Sequence, residues 1–252
     1  MAKKKKTKKE DKGSIFFFIV SILGLLSWVV YWINYSSNLH PPEYTTSTEY
    51  VSSTTSQISQ TILTRNLITQ ANILIEVASN EQAEYGSGVV INQDDYYYYA
   101  ITCYHVVDLD DANSYMVKTS DFIQSGFVVV AMDESNDLAL IKFSKVNRDD
   151  ITPLSMNTDT LTGGETLISI GNPNGYFGII QYINYLESIT IQELENSREM
   201  ILLDSALQSG MSGGALVNPL GQLVGINAAV LDGQTYSIPA SIIHSFLQNI
   251  TY

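Results

Sequence analysis

The sequence predicts an all-β globular body, on three observations. From about Thr64 onward, short apolar runs rich in Val, Ile and Tyr recur roughly every ten to twenty residues; glycine or polar turns separate them; and apolar residues at helix spacing occur only near the carboxy-terminal end. That texture fits a sandwich or barrel better than alternating βαβ units. The 252 residues, 45% apolar and 15% charged, are enough for one large or two small cores.

Residues 1–14 form a basic tail: seven of the thirteen Lys and Arg residues are lysines within the first twelve positions. The rest of the chain then holds six basic and 24 acidic residues, a formal −18, and should repel nucleic acid. Residues 15–35 carry no charge. The nineteen residues IFFFIVSILGLLSWVVYWI would extend about 28 Å as a helix, enough to span a bilayer. Lysines before this run and Trp28, Tyr31, Trp32 and Tyr35 at its far end predict a single-pass membrane helix with a cytoplasmic amino terminus and an outside body. A cleaved signal peptide shares the basic leader and apolar stretch. Its apolar region is shorter, however, and its cleavage site needs small residues, whereas no alanine lies between Ala2 and Ala71.

Residues 36–63 read as a stalk, since 36–61 contain thirteen Ser or Thr, the pair Pro41-Pro42 and little apolar periodicity. Residues 64–252 are the expected folded domain, with strands at ILIEVA, GSGVVIN, YYYYAITCYHVV, FVVVAM, LALIKF, TLISIGNP, MILLDSA, ALVN and LVGINAAV. In ASIIHSFLQNI the residues Ile242, Ile243, Phe246, Leu247 and Ile250 follow helix spacing, with Ser241 placed to cap the start. No further domain is expected after it. The single cysteine, Cys103, excludes an intramolecular disulfide framework and reads as a packed strand residue. The three histidines stand 65 and 139 residues apart with no metal-ligand spacing, so no metal and no cofactor is expected.

The run QSGMSGGALV, residues 208–217, would be only a glycine turn if it stood alone. For Ser212 to attack a carbonyl, an imidazole must take its proton and a carboxylate must orient that imidazole. His40 lies in the stalk beside Pro41, and His244 falls off the apolar stripe of the terminal helix. His105 ends a strand-like run, AITCYHVVD, where a side chain can project from a rigid edge. For the carboxylate, Asp108, Asp110 and Asp111 form a charge run that reads as a wet loop. Asp137 opens the five apolar residues of DLALIKF, the profile of a strand buried on both faces, and is the better orienter.

In the order His, Asp, Ser, these segments resemble the trypsin-like serine proteases, and more narrowly the HtrA/Deg family. Thr102, His105, Val106 and Val107 match its TNxHVV pattern; Asp137, Leu138 and Ala139 match DLAxLK; Ser237, Ile238 and Pro239 match its late SIP segment. Asp204, Ala206, Gly210, Ser212, Gly213, Gly214, Leu216, Val217 and Asn218 match the segment around the family's serine. The resemblance covers roughly residues 65–250. It implies two six-stranded Greek-key β-barrels, about 64–155 and 156–252, with a cleft between them. It also implies the triad His105, Asp137 and Ser212, an oxyanion hole from the Gly210 and Ser212 amides, and an uncharged substrate pocket with Ala206 at its base and Asn227 and Ala228 in a wall.

Met211 and Ala215 depart from the family pattern and are expected to leave the serine loop less fixed, and the family's PDZ domain is not expected in this chain. The reading is thus a membrane-anchored serine endopeptidase acting on extracytoplasmic proteins or peptides in protein quality control, on a bacterial surface, with a homotrimer left open. Two rivals stand beside it: an inactive protease-fold scaffold that binds peptides, and a plain β-barrel surface domain in which the order of the three residues is coincidental.

Overall fold

The computed structural model describes residues 48–145, 151–193 and 196–250. The basic tail, the expected membrane span and the first part of the stalk lie outside the described residues; among those described, no helix is long and apolar enough to cross a membrane. The chain divides into two compact units, Met1–Ser53 and Thr54–Tyr252, and every strand among the described residues belongs to the second.

Helix α1 (Thr48–Ala71) runs through the second half of the segment expected to be an unfolded stalk. That expectation is corrected there. What changes is secondary structure alone: residues 57–63 of the helix are exposed, and the face that packs on the body, with Thr64, Ile68 and Ala71 buried and Leu67 half-buried at helical spacing, begins where the folded domain is expected to start.

Six strands follow: β1 (Asn72–Ala78), β2 (Ala83–Gln93), β3 (Tyr97–Thr102), β4 (Ser114–Lys118), β5 (Gln124–Asp133) and β6 (Leu138–Ser144). They close into a barrel in the order β1-β2-β3-β6-β5-β4, every pair antiparallel. Strands β7 (Thr166–Gly171), β8 (Ile179–Glu193), β9 (Asn196–Leu203), β10 (Ala215–Val217), β11 (Leu223–Leu231) and β12 (Gln234–Pro239) close a second barrel in the order β10-β11-β12-β9-β8-β7. In both, the fourth strand returns to lie beside the first, which is the Greek-key connection.

Both faces of many strands are covered: Ile73, Ile75, Val89, Ile101, Leu140 and Ile141 of the first barrel are fully buried, as are Leu167, Leu203, Leu216 and Leu223 of the second. The connector ties one barrel to the other: the Leu154 N–H donates to the Val90 carbonyl at 3.0 Å, and the Leu223 N–H to that of Ser155 at 2.8 Å. Helix α2 (Tyr104–Val107) is a single turn between β3 and β4, and α3 (Ala240–Gln248) follows β12. In α3, Ile243 and Leu247 are buried and His244 is exposed, as the spacing predicts. Ser241, however, does not cap the helix. Pro239, still paired with Gly225 at the end of β12, occupies the cap with φ −64°, and Ser241 falls inside the first turn, its carbonyl accepting from Ser245 Oγ at 2.9 Å.

Candidate active site

His105 stands on α2, one residue beyond its start and not at a strand end. Its neighbours Val106 and Val107 are buried and pin the turn, while the imidazole is 49% exposed. Asp137 precedes β6, whose first four residues, Leu138 to Ile141, are fully buried. It sits at φ +55°, a left-handed backbone that Asp tolerates better than most residues. Three contacts join the two: the Tyr104 N–H donates to the Asp137 carbonyl at 3.1 Å, the His105 N–H to Asp137 Oδ1 at 3.1 Å, and His105 Nδ1 lies 2.9 Å from both carboxylate oxygens. A carboxylate accepts only, so Nδ1 carries a proton, and in the neutral ring Nε2 is then the nitrogen with the free lone pair. Asp108, Asp110 and Asp111 are exposed and make no such contact among the described residues.

The serine loop packs against the segment that leads to His105. Gly213, at φ +81°, approaches Ser87 O and Thr102 Oγ1 so closely that any Cβ would collide with both. Its N–H donates to the Asn227 carbonyl at 2.7 Å, which also accepts from Cys103 Sγ at 3.3 Å. Gly210 is at φ +90°, and a Cβ there would lie 2.8 Å from the Asn172 carbonyl oxygen. Neither the Gly210 nor the Ser212 N–H meets a protein acceptor among the described residues. The Ser212 hydroxyl donates to the Ala228 carbonyl at 3.1 Å, so in this rotamer it is not engaged with His105 Nε2.

The expectation of a loosened loop is corrected. Met211 is 1% exposed and packs with Leu167, Leu203, Leu207 and Leu216 in the second barrel, and Ala215 is fully buried in β10.

Beside Ser212 lies a pocket of about 210 Å³ lined chiefly by Leu207, Met211, Asn227, Ala228, Val230 and Thr235, with no charged side chain. Asn227 and Ala228, expected in the wall of a substrate pocket, line this one. Ala206 is not: it is exposed and does not line the pocket, and Leu207 takes that position. The cause is Thr235, whose Oγ1 donates to the Ser205 carbonyl at 2.7 Å and accepts from the Leu207 N–H at 3.0 Å. Both neighbours of Ala206 thus turn toward β12, and Ala206 turns away.

Cys103, His105 and Asp137 form a group of three potential metal ligands with donor atoms within 4.8 Å of one another. Burial, then the Asp137 charge, holds the Cys103 thiol well above its ordinary pKa, which disfavours the thiolate a cation would need. Sequence reasoning missed Ser87, Asn172 and Thr235; for the first two the only signal was a serine between glycines in GSGVVIN and an asparagine in the turn after TLISIG.

The chain matches the trypsin-like peptidase domain family over residues 86–226. A probable periplasmic serine endoprotease, DegP-like, of Buchnera aphidicola is 36% identical over 174 residues, covering 66% of this chain and 34% of that protein. The periplasmic serine endoprotease DegP of Escherichia coli is 36% identical over 171 residues, 66% of this chain and 35% of its own. The chain therefore spans about a third of the length of the curated relatives it matches. Among solved structures, the active form of the Rv3671c protease from M. tuberculosis superposes with a TM-score of 0.66 at 20% identity, over 75% of this chain and 85% of that one. An HtrA-type protease, AlgW with a tripeptide, gives 0.64 at 24% identity, over 73% and 61%. These two likenesses speak to the fold.

Proposed function

Because the chain belongs to the trypsin-like serine proteases of the HtrA/Deg family, we propose that it is a serine endopeptidase using Ser212 as nucleophile, His105 as base and acid, and Asp137 as orienter. The observation that carries this reading is the packing of the serine loop, through Gly213, directly against Thr102 and Cys103, the two residues before the turn in which Asp137 grips His105. For catalysis Ser212 must leave Ala228 by rotation about its Cα–Cβ bond, between staggered wells, and meet Nε2.

Nε2 then accepts the hydroxyl proton as Oγ attacks the substrate carbonyl, and Asp137 stabilises the imidazolium so formed. The Gly210 and Ser212 N–H groups are the donors for the developing oxyanion, and His105 returns its proton to the leaving amine. Water then repeats the sequence on the acyl-enzyme.

The substrates are proteins or peptides outside the cytoplasm, in protein quality control. The relatives named periplasmic and the basic, then apolar, leader of residues 1–35 support that placement, with the leader as membrane anchor. A homotrimer remains compatible with this reading.

A second reading, a peptide-holding scaffold without turnover, draws on the Ser212 hydroxyl being engaged with Ala228. Labelling the purified chain with a fluorophosphonate separates the two. Covalent capture that disappears in Ser212→Ala supports the protease, and no capture by the wild-type chain favours the scaffold.

A further inference from the structure

We propose that Ser87 is a positioning residue for the oxyanion donors, gripping both residues that carry them, and that Asn172 holds Ser87 in the orientation this requires. The inference rests on the reading of Gly210 and Ser212 as those donors.

Ser87 lies in β2 of the first barrel and is fully buried. Its N–H donates to the Ser212 carbonyl at 2.8 Å and its Oγ to the Gly210 carbonyl at 2.7 Å. One residue of one barrel therefore holds both donor-bearing residues of the other from behind. The direction of the hydroxyl proton follows from its partners. Oγ also meets the Asn172 N–H at 2.8 Å and the Asn172 Nδ2 at 3.1 Å, both of which only donate, so the single hydroxyl proton goes to Gly210.

The Asn172 amide is oriented with equal definition. Its Oδ1 accepts from the Gly178 N–H at 2.9 Å and from Asn72 Nδ2 at 2.9 Å, and its Nδ2 donates to the Ile73 carbonyl at 2.7 Å. A flipped amide would set donor against donor at Gly178 and acceptor against acceptor at Ile73.

The mechanical consequence concerns Gly210. Glycine allows the positive φ found there, and the same freedom lets its peptides swing. Peptide units are planar, so fixing a carbonyl fixes the N–H on its opposite side. The Asn174 N–H holds the Ser209 carbonyl at 3.1 Å, which sets the plane bearing the Gly210 N–H, and Ser87 Oγ sets the plane on the other side of Gly210. With both planes held, the glycine keeps its conformation and loses its freedom.

The test is Ser87→Ala in the full chain. Removing an oxyanion donor outright costs about 10²–10³ in turnover, so a donor left in place but loosened should cost roughly 10- to 100-fold in kcat with KM nearly unchanged. Affinity for a peptide aldehyde, which places an oxygen in the hole, should fall by the same factor while affinity for the cleaved product peptide holds. In amide NMR spectra, the Gly210 resonance should double or broaden relative to the wild type, while Ser212, whose carbonyl is held by the Ser87 backbone N–H that alanine keeps, should change less. Unchanged kcat and aldehyde affinity, or an activity loss that follows Tm and vanishes on cooling, would overturn the proposal. Should the wild-type chain prove inactive toward peptides and fluorophosphonate alike, the protease reading fails; the spectra still decide, because an unaltered Gly210 resonance in the variant refutes Ser87 as the clamp. If the alanine variant does not fold, Ser87→Cys keeps a weaker donor in place, and the same readouts must move in the same direction.

Discussion

At Asp137 a single side chain does two separable jobs, since Oδ1 accepts from the His105 backbone N–H while both oxygens face Nδ1. Asp137→Asn keeps an oxygen for the backbone N–H but offers the ring an amide that can donate, favouring the wrong tautomer. Turnover should fall on the order of 10⁴-fold, the loss known for the same change in a serine protease, with an unchanged Tm; near wild-type turnover would return the role to Asp108, Asp110 or Asp111. Specificity is decided at the same scale. The pocket beside Ser212 is closed by Leu207, Met211, Val230 and Thr235 and contains no charge. Burying an aliphatic substrate side chain there gains about 1.5–3 kcal/mol, whereas a lysine or arginine would lose its hydration without a partner. Profiling against a peptide library should show cleavage after Ala, Val, Ile or Leu; dominance of Lys or Arg would refute this. The candidate residues His105, Asp137 and Ser212 were legible in the sequence because their chemical type stands inside a motif, and the His105–Asp137 contact joins two of them. Ala206 was misplaced because counting back from a serine tells how far along a loop a residue lies, not which way it faces, and that direction is set by the distant Thr235. Ser87 and Asn172 escaped notice because their partners lie 123 and 85 residues away.

Strands were easier to read than the helix before them. β1, β3 and β6 are almost wholly buried runs, which composition alone reveals. In α1, only the last two turns, from Thr64 to Ala71, meet the body, and polar Thr64 is among the buried residues, so composition does not announce the contact. Turn and strand-end chemistry is equally local. At the end of β9 the Asp204 carboxylate accepts from the Asn184 N–H at 3.0 Å and from Asn184 Nδ2 at 2.8 Å, tying β8 to β9 where the chain leaves for the serine loop. The backbone N–H of Asn184, then its side chain, holds this carboxyl below its ordinary range. A folded-state pKa below the unfolded one stabilises at pH above the unfolded value, and the contribution is lost as pH falls through the folded value. Asp204→Ala should therefore destabilise at neutral pH, by at most about 1 kcal/mol for so exposed a group, and the gap from wild type should close under acid conditions. Denaturant melts at two pH values check this; a gap that widens in acid would contradict it.

Across the whole molecule, α1 acts on both barrels and not merely as a lead-in to β1. Thr64 Oγ1 donates to the Pro219 carbonyl at 3.0 Å, in the turn that joins β10 to β11, and Gly221 of that turn lies against Leu67. The turn is itself preorganised, since Asn218 Oδ1 accepts from the Leu220 and Gln222 N–H groups at 3.0 Å each. The helix thus rests on the second barrel before handing the chain to the first at Asn72, whose Nδ2 donates back to Asn172 Oδ1 at 2.9 Å. Ile68 and Ala71 are fully buried along this strap. Burying an isoleucine contributes about 1.5–3 kcal/mol, to which the Thr64 hydrogen bond and the half-buried Leu67 add. Two truncations separate this from any contribution of the leader: a chain beginning at residue 54, the start of the compact unit, and one beginning at residue 72, the first residue of β1. The first should melt cooperatively. The second should melt lower by roughly 5–10 °C, since 1 kcal/mol corresponds to about 2–4 °C in a domain of this size. Restoring only residues 64–71 should recover most of the difference, because the earlier turns of the helix expose Ile58, Ile62 and Leu63 to solvent. Equal melting temperatures for the chains beginning at 54 and 72 would show that the helix contributes nothing to joining the two barrels.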